Sequence, residues 1–165
     1  MRRAVVVLGM LLALGVPLGL TLHKESVLAS GRPVLLELAP VDPRSLMQGD
    51  YMRLRYKASD EAERHGEALP ADGFLVVRTD ERGVATFVRV HEGAPLAAGE
   101  CLVRYRRRDR GVRLGAESYF FQEGQSELFA KARYGELRAA PGGETVLVGL
   151  RDAELSPLGP PRRPW

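Results

Sequence analysis

Pro40-Val41-Asp42-Pro43-Arg44-Ser45-Leu46-Met47-Gln48-Gly49-Asp50-Tyr51-Met52-Arg53-Leu54-Arg55-Tyr56 is the stretch on which the fold turns. From Asp50 the side chains divide by parity. Met52, Leu54 and Tyr56 fall on one face, and Tyr51, Arg53, Arg55 and Lys57 fall on the other. This alternation predicts a half-buried β-strand with a polar outer face. Upstream, Pro40 and Pro43 fix their own φ and bias Ala39 and Asp42 toward extended backbone, which excludes helix there. Gly49-Asp50 supplies the turn into the strand.

Working outward toward the N-terminus, the run from Ala4 to Leu22 follows Arg2-Arg3 and holds no charged residue. At ~1.5 Å per residue it spans about 28 Å as a helix, close to the thickness of a bilayer core. Arg2, Arg3 and the free amino group precede it and Lys24 alone follows closely. This bias places the N-terminus in the cytoplasm and the rest of the chain outside. The rival is a cleaved secretory signal, cut after Val27-Leu28-Ala29 and before Ser30. The apolar run exceeds the ~7–15 residues usual for such signals, which favours an uncleaved anchor. No cysteine follows the run, so lipoprotein processing at this end is excluded. Pro17 predicts a kink of the kind membrane helices tolerate. His23 to Ser30 extends the helix until Gly31 and Pro33 end it.

The 165 residues, 45% of them hydrophobic, suffice for one folded domain behind a membrane element. The formal charge of +3 is modest, and lysine occurs only at 24, 57 and 131. Without a basic, aromatic-interleaved face, nucleic acid is not an expected partner. Cys101 stands alone, which rules out an intrachain disulfide, and its setting in Cys101-Leu102-Val103 predicts a small buried hydrophobe.

Downstream of the anchor, Pro33 to Ala39 reads as a strand with Val34, Leu36 and Leu38 on one face. Asp60 to Asp72 reads as a charged loop with at most one helical turn, ended by Pro70 and Gly73, with His65 exposed in it. Runs 73–78 and 84–90 predict a hairpin through Thr79-Asp80-Glu81-Arg82-Gly83. Val84, Thr86, Val88 and Val90 share one face of its second strand, with Phe87 on the other. The sheet resumes at Cys101-Leu102-Val103-Arg104-Tyr105-Arg106. Six arginines between positions 104 and 113 predict a solvated hairpin tip, or alternatively attraction to anionic lipid headgroups or to an acidic partner. Tyr119-Phe120-Phe121 is the strongest aromatic cluster. A helix is predicted from about Gln125 to Tyr134, with Leu128 and Ala132 as i,i+4 partners and Glu127 set to pair with Lys131. Glu123 precedes its first turn, where a carboxylate favours the helix dipole. Runs 136–138 and 145–148 close the sheet around Pro141-Gly142-Gly143, and the proline-rich tail from Ser156 reads as unpacked.

Gly49-Asp50-Tyr51-Met52-Arg53-Leu54-Arg55-Tyr56 resembles the signature that names the bacterial GDYXXLXY family. Pro40-Val41-Asp42-Pro43-Arg44 and Tyr119-Phe120-Phe121-Gln122-Glu123-Gly124 are similar to further landmarks of that family, which often has proline where this chain has Gln122. The likeness runs from about residue 31 to residue 150. It implies a membrane-anchored protein of uncharacterised function, often encoded beside a multi-pass membrane protein, and it implies no catalytic residues.

The residues themselves assemble no catalytic set. His23, His65 and His91 are scattered without clustered carboxylates, so neither a zinc site nor any cofactor is expected. An enzymatic alternative pairs Ser45 as nucleophile with Lys57 as base, as in signal peptidases. Ser45 lacks the following methionine and proline of those enzymes, and Lys57 lies on the outward parity, where it stays solvated and charged. A ligand-sensing alternative requires a pocket lined by Tyr56, Phe87 and Phe120. The better of the functional expectations is an interaction surface built by Asp50, Tyr51, Tyr119 and Glu123 that engages a membrane partner. Set against it is a structural role: Asp50 caps its own turn and the tyrosines are edges of the core.

The expected architecture is therefore mainly β within an α+β class. A transmembrane helix and its extension occupy residues 1–30. A mostly antiparallel barrel or sandwich of about seven strands with one helix covers 31–155. A flexible tail covers 156–165. The expected partners are the lipid bilayer and a multi-pass membrane protein.

Overall fold

The computed structural model describes residues 2–40, 47–48, 51–65, 69–108 and 111–160. It begins with one long helix, α1 (Arg2–Ser30), which bears Pro17 in its interior. The Thr21 hydroxyl donates to the Pro17 carbonyl at 2.9 Å, one turn back. Val6, Val7 and the large apolar side chains from Met10 to Leu22 stand 56–68% exposed, whereas Val27, one turn beyond the apolar run, is only 3% exposed. α1 is thus free along its apolar length and docked at its C-terminal end. It is long and apolar enough to cross a membrane.

The body is a sandwich of two sheets around one core. The strands in chain order are β1 (Arg32–Glu37), β2 (Met47–Gln48), β3 (Tyr51–Arg53), β4 (Asp72–Thr79), β5 (Val84–Val90), β6 (Glu100–Arg108) and β7 (Gly111–Arg113). They continue with β8 (Ser118–Phe120), β9 (Tyr134–Ala139), β10 (Thr145–Arg151) and β11 (Pro157–Leu158). Eight form a sheet in the order β11-β10-β9-β1-β5-β4-β6-β7, and β2-β3-β8 form a second. All pairings within the sheets are antiparallel except β1 with β5. The large sheet curls, so that the Arg104 amide donates to the Gly143 carbonyl at 2.6 Å near its far end, but its order stays open and no barrel closes. The total exceeds the roughly seven expected because the short strands β2, β8 and β11 form in stretches the sequence reads as a proline-bounded loop, an aromatic cluster and a tail.

The parity of the opening stretch holds. Met52, Leu54 and Tyr56 are 3%, 5% and 1% exposed, while Arg53 and Arg55 face solvent and Tyr51 and Lys57 are half-buried. The stretch is nevertheless not one strand. β3 ends at Arg53, and the chain then crosses to the large sheet, where Tyr56 bridges Leu38 and the Ala39 amide donates to the Arg55 carbonyl. Tyr56 donates its hydroxyl to the Ala116 carbonyl at 2.7 Å and lays its ring over Gly135, where a Cβ would sit 2.9 Å from a ring carbon. Burial of such a ring removes on the order of 150–250 Å² from water, and it also pushes the hydroxyl pKa well above its ordinary value.

Several expectations are corrected. The predicted loop from Asp60 is instead part of a helix, α2 (Lys57–His65). Its buried stripe is made of Ala58, Ser59 and Ala62, small residues that let the helix approach closely but that carry little apolar signal in the sequence. The side chain of His65 lies outside the described residues. The predicted helix from Gln125 shrinks to α3 (Ser126–Phe129), and Tyr134 already starts β9. Phe129, 2% exposed, is its anchor rather than Leu128, which is 38% exposed. In β5 the register slips between Val76 and Val77 of the partner strand, leaving Val88 unmatched. Ala85, Phe87 and Val90 therefore pack against the core, so the continuous face of Val84, Thr86, Val88 and Val90 read from the sequence is broken at the bulge. The tail is packed as far as Leu158, which is 7% exposed and held in β11, because its side chain completes the core next to Phe129. Residues 161–165 lie outside the described residues.

Candidate functional site

The motif strand positions an aromatic strip on the outside of the small sheet. β3 and β8 pair with Tyr51 opposite Phe120 and Met52 opposite Tyr119. Cross-strand partners share a face, so Tyr119 follows Met52 inward while Phe120 follows Tyr51 outward. The Tyr51 and Phe120 rings lie 5.7 Å apart at 36°, and Phe120 is 64% exposed. On the inner side, Tyr119 and Phe121 each place their rings 5.1 Å from Phe129.

The four residues expected to form an interaction surface therefore separate. Tyr51 lies on the outer strip. Tyr119, 5% exposed, belongs to the core, as the structural alternative had it. Glu123 is exposed in the turn before α3, where Gln125 occupies the N-cap without a side-chain hydrogen bond, so Glu123 does not cap this helix. Asp50 lies outside the described residues, as does Ser45. The missed member is Phe120. Its sequence signal was the Tyr-Phe-Phe run itself, but a one-residue uncertainty in register reverses which rings face out.

Of the enzymatic pair only Lys57 lies within the described residues, and the residues of the ligand-sensing alternative do not converge. Lys57 forms an ion pair with Glu37. Tyr56 and Phe87 pack into the core while Phe120 projects to solvent from the outer side of the small sheet, so they line no common cavity. Among the described residues no group of three His, Cys, Asp or Glu side chains is placed to hold a metal ion. Cys101 is half-buried against the core, and burial raises its thiol pKa.

The second feature is the joint between α1 and the large sheet. The Gly31 amide donates to the Val27 carbonyl at 2.8 Å, ending the helix. A Cβ at Gly31 would press into that same carbonyl oxygen and would lie 3.0 Å from the Arg138 Cβ, so close approach requires glycine here. One turn nearer the apolar run, His23 and Lys24 both bind the Glu144 carboxylate in the β9–β10 turn. These partners, Lys24 foremost, lower the Glu144 pKa. His23 is thus an anchoring contact, and Glu144 carried no sequence signal because its partners lie some 120 positions away.

A third cluster is structural. Glu100, 7% exposed, accepts hydrogen bonds from Arg89 and Arg78, both at 2.9 Å, and from the Ala97 amide at 3.0 Å. The Arg89 guanidinium, with the other donors, holds its pKa down at about 2.

Comparison with curated proteins and with solved structures finds no match. A family model described as GDYXXLXY protein matches residues 13–150, which takes in the docked end of α1, the motif strand, α2 and nearly all of both sheets. With most of its length inside that match, the chain belongs to the GDYXXLXY family.

Proposed function

We propose that this chain is a membrane-anchored accessory or interaction protein, non-enzymatic, with its β sandwich outside the cytoplasm. The observation that carries this reading is the division of α1. Its apolar stretch from Val6 to Leu22 is exposed, while Val27, His23 and Lys24 fasten its end to the sheet. A helix joined in this way holds the body at a set height and orientation over the bilayer, which suits presentation of a surface to a neighbouring membrane protein. The buried Val27 and the tight Gly31 joint also favour a retained helix, since a cut after Ala29 would strip Val27 from the core. Arg2 and Arg3 before the span support a cytoplasmic N-terminus.

The surface best suited to a multi-pass membrane partner is the strip of Tyr51 and Phe120 with Glu123 nearby in sequence; Asp50 precedes Tyr51 in the motif. The test combines fractionation with capture. The full chain, tagged at its C-terminus, should stay in carbonate-washed membranes, be digested by protease added to spheroplasts, and keep its N-terminal residues by intact mass. Crosslinking in native membranes should then capture an integral membrane protein, and Tyr51→Ala with Phe120→Ala should abolish the capture without unfolding the domain. A chain recovered in the soluble fraction with an intact N-terminus would end this reading.

A further inference from the structure

We propose that the cleft between Lys24 of α1 and the β6–β7 hairpin holds the phosphate of an anionic lipid headgroup. The proposal rests on the reading of α1 as a membrane anchor. The cleft has a volume of about 290 Å³ and is lined by Lys24, Arg104, Arg106, Arg108 and Arg113. Residues two apart on a strand share a face, so β6 presents three of these guanidinium groups in a row, and β7 adds the fourth beside Arg106.

The charges in this cleft are poorly balanced. Its carboxylates are already engaged: Glu144 by His23 and Lys24, and Glu117 by the amides of Leu114 and Gly115. Arg104 reaches Asp72 only at 3.9 Å. Arg106, Arg108 and Arg113 make no ion pair or side-chain hydrogen bond among the described residues. Arg106 and Arg113 are moreover direct cross-strand partners, a like-charge pairing that destabilises a sheet unless an anion lies between them. The forked guanidinium donors match phosphate oxygens in geometry as well as in charge.

Position selects the lipid over a free anion. Lys24 follows Leu22 by two residues, about 3 Å along the helix axis at ~1.5 Å per residue, so the cleft opens where the apolar span ends and headgroup phosphates lie.

The test uses the full chain in a nonionic detergent, offered equal amounts of phosphatidylglycerol and phosphatidylcholine of the same acyl length, with bound lipid counted by native mass spectrometry. Wild type should prefer phosphatidylglycerol. The preference should fall about fivefold or more in the double variant Arg106→Gln/Arg113→Gln and persist in Arg82→Gln, an exposed arginine in the β4–β5 turn. Glycerol phosphate alone should fail to displace the lipid. Equal binding of the two lipids by wild type, a preference that survives in the double variant with unchanged circular dichroism, or displacement by glycerol phosphate would each overturn the lipid assignment. Release of the full chain from native membranes by carbonate would instead break the anchor reading, and a chain that remains embedded yet shows no lipid preference breaks the cleft alone.

Discussion

The two faces of the motif strand have opposite fates. Met52, Leu54 and Tyr56 enter the core with Tyr119, and Tyr56 ties the small sheet to the large one through the Ala116 carbonyl and the gap over Gly135. Tyr51 and Phe120, one position away on each strand, face outward and stack on each other. The inner face accounts for the leucine and the last tyrosine of the motif as architecture. Any role in recognition falls to the outer face. Residues adjacent in sequence thus divide between stability and surface by parity alone.

The sharpest way to break this comparison is to truncate the inner face. Tyr56→Ala should cost about 3–5 kcal/mol through lost burial and the cavity it leaves, read as a lower urea midpoint. Tyr56→Phe should cost roughly 1 kcal/mol, since only the hydrogen bond to Ala116 goes. If Tyr56→Ala were tolerated as well as a surface change, the tie between the sheets would not depend on this ring.

A smaller effect tests the joint of α1. Gly31→Val should undock the helix end, because its Cβ meets the Val27 carbonyl oxygen, and spin labels at the exposed positions 26 and 142 should then move apart. Glu144→Ala removes both ion pairs at the same joint and should cost at most ~1 kcal/mol, as partly exposed pairs do.

Acid provides a test away from the motif. The Glu100 pKa is depressed from 4.5 to about 2, so its contribution is fully present above about pH 4.5 and is lost as pH falls through about 2. The difference in urea midpoint between wild type and Glu100→Gln should therefore be constant at neutral pH and shrink steadily between pH 4.5 and 2. A difference that stayed constant down to pH 2 would show that Glu100 is not held ionised by Arg89 and Arg78. The smallest expected change belongs to the outer face: Tyr51→Ala or Phe120→Ala should alter stability by about 1 kcal/mol or less while removing the stacked strip.

Much of the fold was legible because period-two alternation and glycine turns are local signals. The β4–β5 hairpin, the inward parity of Met52, Leu54 and Tyr56, and the helix through Ser30 all appear as the sequence predicts. α2 escaped because alanine and serine carry a buried face only when a neighbour comes close enough to use their small size. α3 was overextended because Leu128 and Ala132 keep helical spacing, yet pairing with β1 and β10 claims the chain from Tyr134. In the candidate site, Tyr51 was legible from parity. Phe120 was not, because β8 has no fixed face until its register with β3 is set.

The sequence by itself determined an apolar helix long enough for a bilayer, a mainly β body behind it, and which side of the motif strand is buried. These follow from composition and periodicity within a few turns of chain. Only the tertiary structure decided that Glu144 clasps His23 and Lys24, that Tyr119 turns in while Phe120 turns out, and that the arginines of β6 and β7 gather beside Lys24. Each of these joins residues far apart in the chain, and such pairings exist only once strand register and sheet curvature bring them into contact.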